Sequence, residues 1–325
     1  MGEWQMGINR INIGNVQLDN NVFLAPLAGI SDKPFRQICR EMGCGLTHSE
    51  MVSAKSIQYN NFKDLLDTSE EERPWAVQLF GRDPDILTDA ALRLDDLCPA
   101  GVDIVNINMG CPAPKIVKNG EGSALMKEPA LVGKIVSALV SKVPKPITVK
   151  IRKGFSAGSS NAVEIAQIAQ ESGAAAVIVH GRTREQFYSG KADWDAIAAV
   201  KAALKIPVIA NGDIFSPEAA EAIFAHTKCD GIMVARGSFG NPWLFSQIIH
   251  NTPPPSLAEK VELALRHCRM TIEHKGEHFG VLEMRKHLSW YIKGMPGATT
   301  LRVQINKADS YQAIEKLLIK ALEAV

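Results

Sequence analysis

No stretch of this sequence approaches the ~18 consecutive apolar residues that a membrane-spanning helix needs. The first ten residues, Met1 to Arg10, hold no basic segment followed by an apolar run, so no secretory leader is expected. Cysteine is sparse and scattered. The six, Cys39, Cys44, Cys98, Cys111, Cys229 and Cys268, form no C-x-x-C pair and no cluster spacing, which argues against zinc and iron–sulfur sites. A reduced, cytoplasmic location is the expectation. A large charge imbalance is missing too: 36 basic against 35 acidic residues leave a net charge of +1, so no global basic field advertises a nucleic-acid partner.

What is present is ordinary for a globular protein, with 46% hydrophobic and 22% charged residues, and disorder is excluded on that balance. A chain of 325 residues has room for one large unit of about 250 residues plus a smaller one. The charge is unevenly spread. From Ser256 onward there are 11 Lys and Arg against 8 Asp and Glu, or +3, leaving 25 against 27, or −2, for the rest. His267, His274, His278 and His287 also fall in this tail. That suits a phosphate-facing surface, although a solvated helical face explains it equally well.

Short apolar strands and helices alternate along the chain. After a hairpin or short plug from Ile8 to Val22, strands are expected at Val22–Ala25, Leu46–Ser49, Trp75–Phe80, Val102–Val105, Ile147–Ile151, Ala175–Val179, Val208–Ala210 and Gly231–Val234. Helices with capping residues and early prolines separate them, as at Asp32-Lys33-Pro34, Asp83-Pro84 (running to about Leu97) and Ser216-Pro217. No G-x-G-x-x-G follows the first strand, which weighs against a doubly wound dinucleotide-binding sheet. Eight strand–helix units fit a (β/α)₈ TIM barrel. Asn251-Thr252-Pro253-Pro254-Pro255 breaks the rhythm. Beyond it, Leu257–Lys275, Gly280–Lys293 and Ser310–Ala324 read as amphipathic helices. The expected organisation is a barrel over residues 1–250 and an all-helical domain over residues 256–325.

In a barrel all strand exits face one mouth, so residues distant in sequence converge there. The exits carry Pro26, Leu27 and Ala28; Glu50; Gln78; Asn108 and Cys111; Lys150 and Arg152; His180; Asn211, Gly212 and Asp213; and Ala235, Arg236 and Gly237. No metal-ligand set emerges. The seventh and eighth exits are the fold's usual phosphate seat, and their glycines let backbone N–H groups approach an anion, or simply make tight turns. Lys150 and Arg152, two apart, share a strand face. A lone lysine more often reaches solvent, a lone histidine is as often a satisfied barrel residue as a base, and most free cysteines are packing residues. At a strand exit Cys111 could be nucleophile, ligand or proton donor.

In combination the motifs are more specific. Asn108-Met109-Gly110-Cys111-Pro112, with Pro26-Leu27-Ala28-Gly29, His180-Gly181-Arg182-Thr183 and Ile209-Ala210-Asn211-Gly212-Asp213, resembles the bacterial tRNA-dihydrouridine synthases, near their B-type group, from about Val22 through the tail. The resemblance implies a flavin-dependent barrel with a helical tRNA-binding domain, which reduces the C5=C6 bond of particular uridines. It implies FMN held by Pro26, Leu27, Ala28, Gln78, Lys150, His180, Asn211, Gly212, Asp213, Ala235 and Arg236, with NADPH or NADH as reductant. Cys111 matches the family's proton donor, and Asn108, Arg152 and Tyr188 match positions that hold the uracil. Leu27 stands where many relatives have methionine, and Ala235 where many have glycine. Both changes bear on local flavin packing.

Two other readings compete. A small-molecule FMN reductase of dihydroorotate dehydrogenase type shares the barrel and the flavin-facing lysine, but needs no helical tail. A non-catalytic RNA-binding protein would not need Cys111, Lys150 and His180 together. No sequence feature calls for a membrane or an obligate protein partner.

Overall fold

Successive strand residues point to opposite faces, and in this chain that alternation separates an interior set of side chains from an exterior one. The computed structural model describes residues 7–62, 65–158 and 160–323. An antiparallel hairpin, β1 (Ile11–Ile13) and β2 (Val16–Leu18), comes first. Eight parallel strands follow: β3 (Val22–Leu24), β4 (Thr47–Ser53), β5 (Trp75–Phe80), β6 (Ile104–Met109), β7 (Ile147–Gly154), β8 (Ala176–Thr183), β9 (Val208–Asn211) and β10 (Gly231–Val234). Their order is β3-β10-β9-β8-β7-β6-β5-β4, and a bridge between Phe23 and Leu46 closes the ring. This is the expected TIM-type barrel.

Around it run α1 (Lys33–Glu41), α2 (Ala54–Gln58), α3 (Pro84–Leu92), α4 (Leu94–Leu97), α5 (Pro114–Lys118), α6 (Pro129–Lys142), α7 (Ala162–Glu171), α8 (Trp194–Ala203), α9 (Pro217–Thr227) and α10 (Leu244–His250). Asp32, Asp83, Asp193 and Ser216 open α1, α3, α8 and α9 by accepting first-turn N–H groups, and proline fills the first turn of α1, α3 and α9. Val77, Val105, Val149, Val177 and Val208 form the outward layer beneath these helices. Phe23, Leu46, Ala76, Ile104, Ala176, Ile178, Ile209 and Met233 fill the barrel interior, joined by Ile13 and Leu18 of the hairpin. Gly14, in the left-handed region at φ +59°, sits against Pro146 and Ala175 just before β7 and β8. The hairpin therefore closes the barrel floor.

Four helices follow Asn251: α11 (Leu257–Lys275), α12 (Glu277–Tyr291), α13 (Ala298–Ile305) and α14 (Tyr311–Glu323). They gather on a core of their own that includes Val261, Cys268, Met284, Leu288 and Ile314, into which α1 sends Ile38. A capping box between Ser256 and Glu259 opens α11. Among the described residues no helix is long and apolar enough to cross a membrane.

Several element bounds differ from expectation. The helix expected from Pro84 to Leu97 breaks at Arg93, whose guanidinium is tied to the carbonyl of Ile57 and to Asn60. The helix expected from Gly280 begins at Glu277, because Gly276 at φ +80° is where α11 stops. The unexpected α13 follows Gly294 and Gly297 and carries two threonines, a poor local signal, but Leu301 and Ile305 are buried in the helical core. Ala324, the expected end of the last helix, and Met1 to Met6 lie outside the described residues.

Arg36 on α1 ties buried segments beside the barrel wall together. Its Nε donates to Glu72 at 2.7 Å, Nη1 to the Ser31 carbonyl at 3.0 Å and Nη2 to the Asp67 carbonyl at 2.6 Å, while the guanidinium lies 4.9 Å from the centre of the Trp75 ring. Both charges are fully buried. Removing one partner of such a pair strands the other, so Arg36→Ala is expected to lose about 3–5 kcal/mol. Urea unfolding measures this, and a loss below about 1 kcal/mol would contradict it.

Candidate active site

Along each barrel strand the inward positions turn from apolar near the floor to polar at the carboxyl end. Ala76 gives way to Gln78 on β5, Ile104 to Asn106 and Asn108 on β6, Ile178 to His180 and Arg182 on β8, and Ile209 to Asn211 on β9; β7 presents Thr148, Lys150 and Arg152. The polar ends surround a cavity of ≈ 330 Å³ at the mouth. The fifteen residues that the family resemblance assigns to the site all line it: Pro26, Leu27, Ala28, Gln78, Asn108, Cys111, Lys150, Arg152, His180, Tyr188, Asn211, Gly212, Asp213, Ala235 and Arg236.

The sequence places Asn106 and Asn108 beyond the end of a strand at Val105, but β6 runs on to Met109 and both are ladder residues. Their amides form an interior chain. Gln78 Nε2 donates to Asn106 Oδ1 at 2.7 Å, Asn106 Nδ2 to Thr148 Oγ1 at 2.8 Å, and Asn108 Nδ2 to Gln78 Oε1 at 2.8 Å. Asn108 Oδ1 accepts the N–H groups of Gly110 at 3.1 Å and Cys111 at 2.8 Å. Asn108 thus shapes the turn that carries the thiol.

Cys111 is the one cysteine that is not fully buried. Its carbonyl accepts the Ser123 N–H at 3.0 Å, and Gly122 leaves it room: a Cβ there would lie 2.9 Å from that carbonyl oxygen. Burial raises the thiol's pKa above its ordinary value, opposed by the Ala113 N–H and by the charges of Arg152 and Lys150. The group therefore stays protonated at neutral pH. A thiol so placed is an acid in waiting and a poor nucleophile.

Arg152 joins two sides of the mouth. Its Nε donates to the Gly110 carbonyl at 2.8 Å, and Nη1 to the carbonyls of Thr183 at 2.7 Å and Phe187 at 2.9 Å. Lys150 Nζ donates to Asn211 Oδ1 at 3.1 Å, and Asn211 Nδ2 to the Met233 carbonyl at 2.8 Å. Burial first, then the neighbouring Arg152, pushes the Lys150 ammonium down to about 7. His180 is held well below its ordinary value by burial and by the surrounding cations, so it is neutral at physiological pH.

At the ends of β9 and β10 the backbone is set for an anion. Gly212 adopts φ +131°, and a Cβ there would meet the Ala192 methyl at 2.7 Å. Asp213, also left-handed at φ +60°, accepts from Arg182 Nη2 and the Ala192 N–H, each at 2.8 Å, and from Arg236 Nη2 at 3.3 Å. Its charge is consumed within the protein. Arg182, nearly fully buried, keeps Nη1 without a partner among the described residues. The N–H groups of Gly212, Arg236 and Gly237 likewise donate to no other described residue.

Sequence reasoning missed several lining residues: Met51, Phe187, Phe215 and Phe239. It also aimed Glu50 at the mouth. A register shift between His48 and Met51 instead turns Met51 to the cavity, while the Glu50 carboxylate takes the Gly29 N–H. Nothing in the sequence signals that shift. Asn106 and Thr148, by contrast, were readable as inward positions from the alternation. Among the described residues no three His, Cys, Asp or Glu side chains cluster closely enough to hold a metal ion.

The sequence profile described as "Dihydrouridine synthase (Dus)" matches residues 23–325. The chain belongs to the dihydrouridine synthase family. It is 40% identical over 311 residues to tRNA-dihydrouridine synthase B of Pseudomonas aeruginosa, covering 93% of each chain. It is 42% identical over 311 residues to tRNA-dihydrouridine synthase B of Xanthomonas campestris, again covering 93% of each. A probable tRNA-dihydrouridine synthase of Rickettsia bellii is 39% identical over 97% of this chain and 98% of its own. Among solved structures, morphinone reductase in complex with tetrahydroNAD superposes with a TM-score of 0.53 at 14% identity, over 74% of this chain and 89% of that one. Histamine dehydrogenase from Rhizobium sp. 4-9 gives 0.55 at 14%, over 75% and 48%. At that identity the likeness is one of fold.

The protonation state assigned to this synthase-family cysteine has a direct check. Cys111, the accessible thiol, should alkylate slowly with iodoacetamide at pH 7, the rate climbing about tenfold per pH unit past the ordinary thiol value of 9.0. Mass spectrometry of the labelled peptide reads this out, and a plateau at or below about pH 8 would show a thiolate instead.

Proposed function

We propose that this protein reduces the C5=C6 bond of uridines in tRNA to 5,6-dihydrouridine, with FMN as resident cofactor, NADPH or NADH as electron source and Cys111 as proton donor. One observation carries the reading. In a chain of the dihydrouridine synthase family, a thiol that burial keeps protonated shares a cavity with a cationic wall. Relatives named tRNA-dihydrouridine synthase B support the choice of substrate.

The cavity suits an anionic, planar cofactor on its own evidence. Lys150, Arg152 and Arg236 line it with Arg182 buried behind them, and the carboxylate among them, Asp213, is already bonded to Arg182 and Arg236. Free N–H groups at Gly212, Arg236 and Gly237, with the orphaned Arg182 Nη1, lie where this barrel seats a phosphate. Pro26, Leu27, Ala28 and Ala235 would pack on the ring system, Gln78 and Lys150 would hold its polar edge, and His180, Asn211, Gly212, Asp213 and Arg236 would complete the site. When bound, FMN supplies hydride-transfer chemistry.

The chain's own residues do the rest. Cys111 gives its proton to uracil C5, Arg152 offers Nη2 to a uracil carbonyl, and Tyr188 supplies a ring at the entrance. Asn108 has both amide ends bonded within the protein, so it first fixes the Cys111 turn, and a contact with uracil would exchange its bond to Gln78. The uridine must leave its stack to enter. The helical domain, residues 256–325 beyond a barrel domain of residues 1–250, would grip tRNA by phosphate and shape, in the cytoplasm and without an obligate protein partner.

Cys111→Ala is expected to leave NADPH-driven bleaching of the flavin intact while abolishing dihydrouridine in a tRNA transcript. Full product formation by this variant would remove Cys111 from its role. A second outcome follows from Lys150. Its ammonium titrates at about 7 without ligand, and an anion favours the charged form, so binding above pH 7 must take up a proton. FMN affinity should therefore fall between pH 7 and 9, by up to about tenfold per unit, in fluorescence titrations of flavin-stripped protein. Lys150→Met should flatten the slope, and an affinity constant over this range in the unmodified protein would overturn the assignment.

A further inference from the structure

Among the described residues, four exposed aromatic side chains belong to the barrel: Tyr59 at 77% exposure, Phe187 at 43%, Tyr188 at 45% and Phe215 at 51%. Tyr59 stands apart, but the other three line the cavity mouth, on the loops that follow β8 and β9. One exposed ring needs no explanation, whereas a cluster at a functional mouth does.

The cluster is built. Phe187 adopts φ +53°, a left-handed conformation rarely accepted by so bulky a residue. Bonds on either side hold it there: its N–H donates to the Arg184 carbonyl at 3.1 Å, and its carbonyl accepts from Arg152 Nη1 at 2.9 Å. Thr183 and Gln186 brace the same turn reciprocally, each side chain accepting the other's N–H. Strain maintained this way at a cavity edge serves to present the side chain. The Phe187 and Tyr188 rings meet edge to face at 4.9 Å. Arg236 sets its guanidinium 5.0 Å from the Tyr188 ring centre and 5.5 Å from that of Phe215. The rim therefore offers flat apolar faces beside a fixed positive charge.

We propose that Phe187 and Phe215 form a stacking site for a nucleobase adjacent to the reacting uridine, with the Arg236 guanidinium, as distinct from its backbone N–H at the flavin phosphate seat, facing the phosphate that links them. The inference rests on the tRNA-reducing reading above and adds a site to it. Drawing one base into the cavity breaks its neighbour's stacking, and an aromatic side chain at the entrance replaces that lost contact whatever the neighbour's identity. Arg236 matches the backbone charge of a nucleic acid.

The test uses flavin-loaded enzyme and unmodified tRNA transcript at saturating NADPH. Phe187→Asn keeps a residue that accepts the left-handed backbone, and Phe215→Ala removes the other ring. Each should raise KM for tRNA about tenfold, leaving kcat within about twofold and NADPH-driven flavin bleaching unchanged. Phe215→Trp should restore KM. Unchanged KM in both variants overturns the proposal. So does a higher NADPH concentration for half-maximal bleaching, which would make the rim a dinucleotide site, and so does loss of FMN, which would make it part of the flavin shell. An unmodified enzyme that binds FMN yet forms no dihydrouridine refutes the underlying reading; an active enzyme with indifferent variants refutes the rim alone.

Discussion

The placement of the thiol depends on a chain of buried amides. Thr148, Asn106, Gln78 and Asn108 are linked side chain to side chain across β5, β6 and β7, and the last accepts the N–H groups of Gly110 and Cys111. A buried amide left unbonded costs about 1–3 kcal/mol, so each link constrains the next. The turn bearing Cys111 is consequently registered to the barrel wall and not merely to its own loop. Arg152 extends the registration to the loop of Phe187 and Tyr188. Thiol and rim share one support.

Charge is the second organising term. Positive groups converge at the mouth, and the carboxylate among them, on Asp213, is spent orienting Arg182 and Arg236. The result is an unneutralised field in a partly desolvated space, where charge acts strongly. Burial depresses Lys150 and His180 and raises Cys111, and the field deepens the first two shifts and moderates the third. An anionic occupant would relieve this crowding of like charges and return Lys150 to its charged form.

Much of this was legible in the sequence, because it rests on local rules. Period-two alternation, capping aspartates and early prolines located the eight strands and most barrel helices, and a barrel brings strand exits together regardless of sequence distance. Hence residues from Pro26 to Arg236 could be assigned to one mouth. What escaped depends on long-range geometry. The register shift in β4 that exchanges Glu50 for Met51 is fixed by pairing with β5, and Phe187's backbone is fixed by Arg152, a strand away. The helix α13 has weak local propensity and forms because Leu301 and Ile305 find a core. The multiple bonds of Asn108 could not be read from its neighbours, so its structural duty was invisible beside a substrate role.

The hairpin at the floor carries a different consequence. Ile13 and Leu18 seal the barrel below the polar layer, leaving the cavity a blind alley with its entrance on the strands' carboxyl side. Traffic is then one-way-in, same-way-out. Any two occupants that each need the full depth of such an alley cannot be held at once, so they would have to queue, the departure of one gating the arrival of the next.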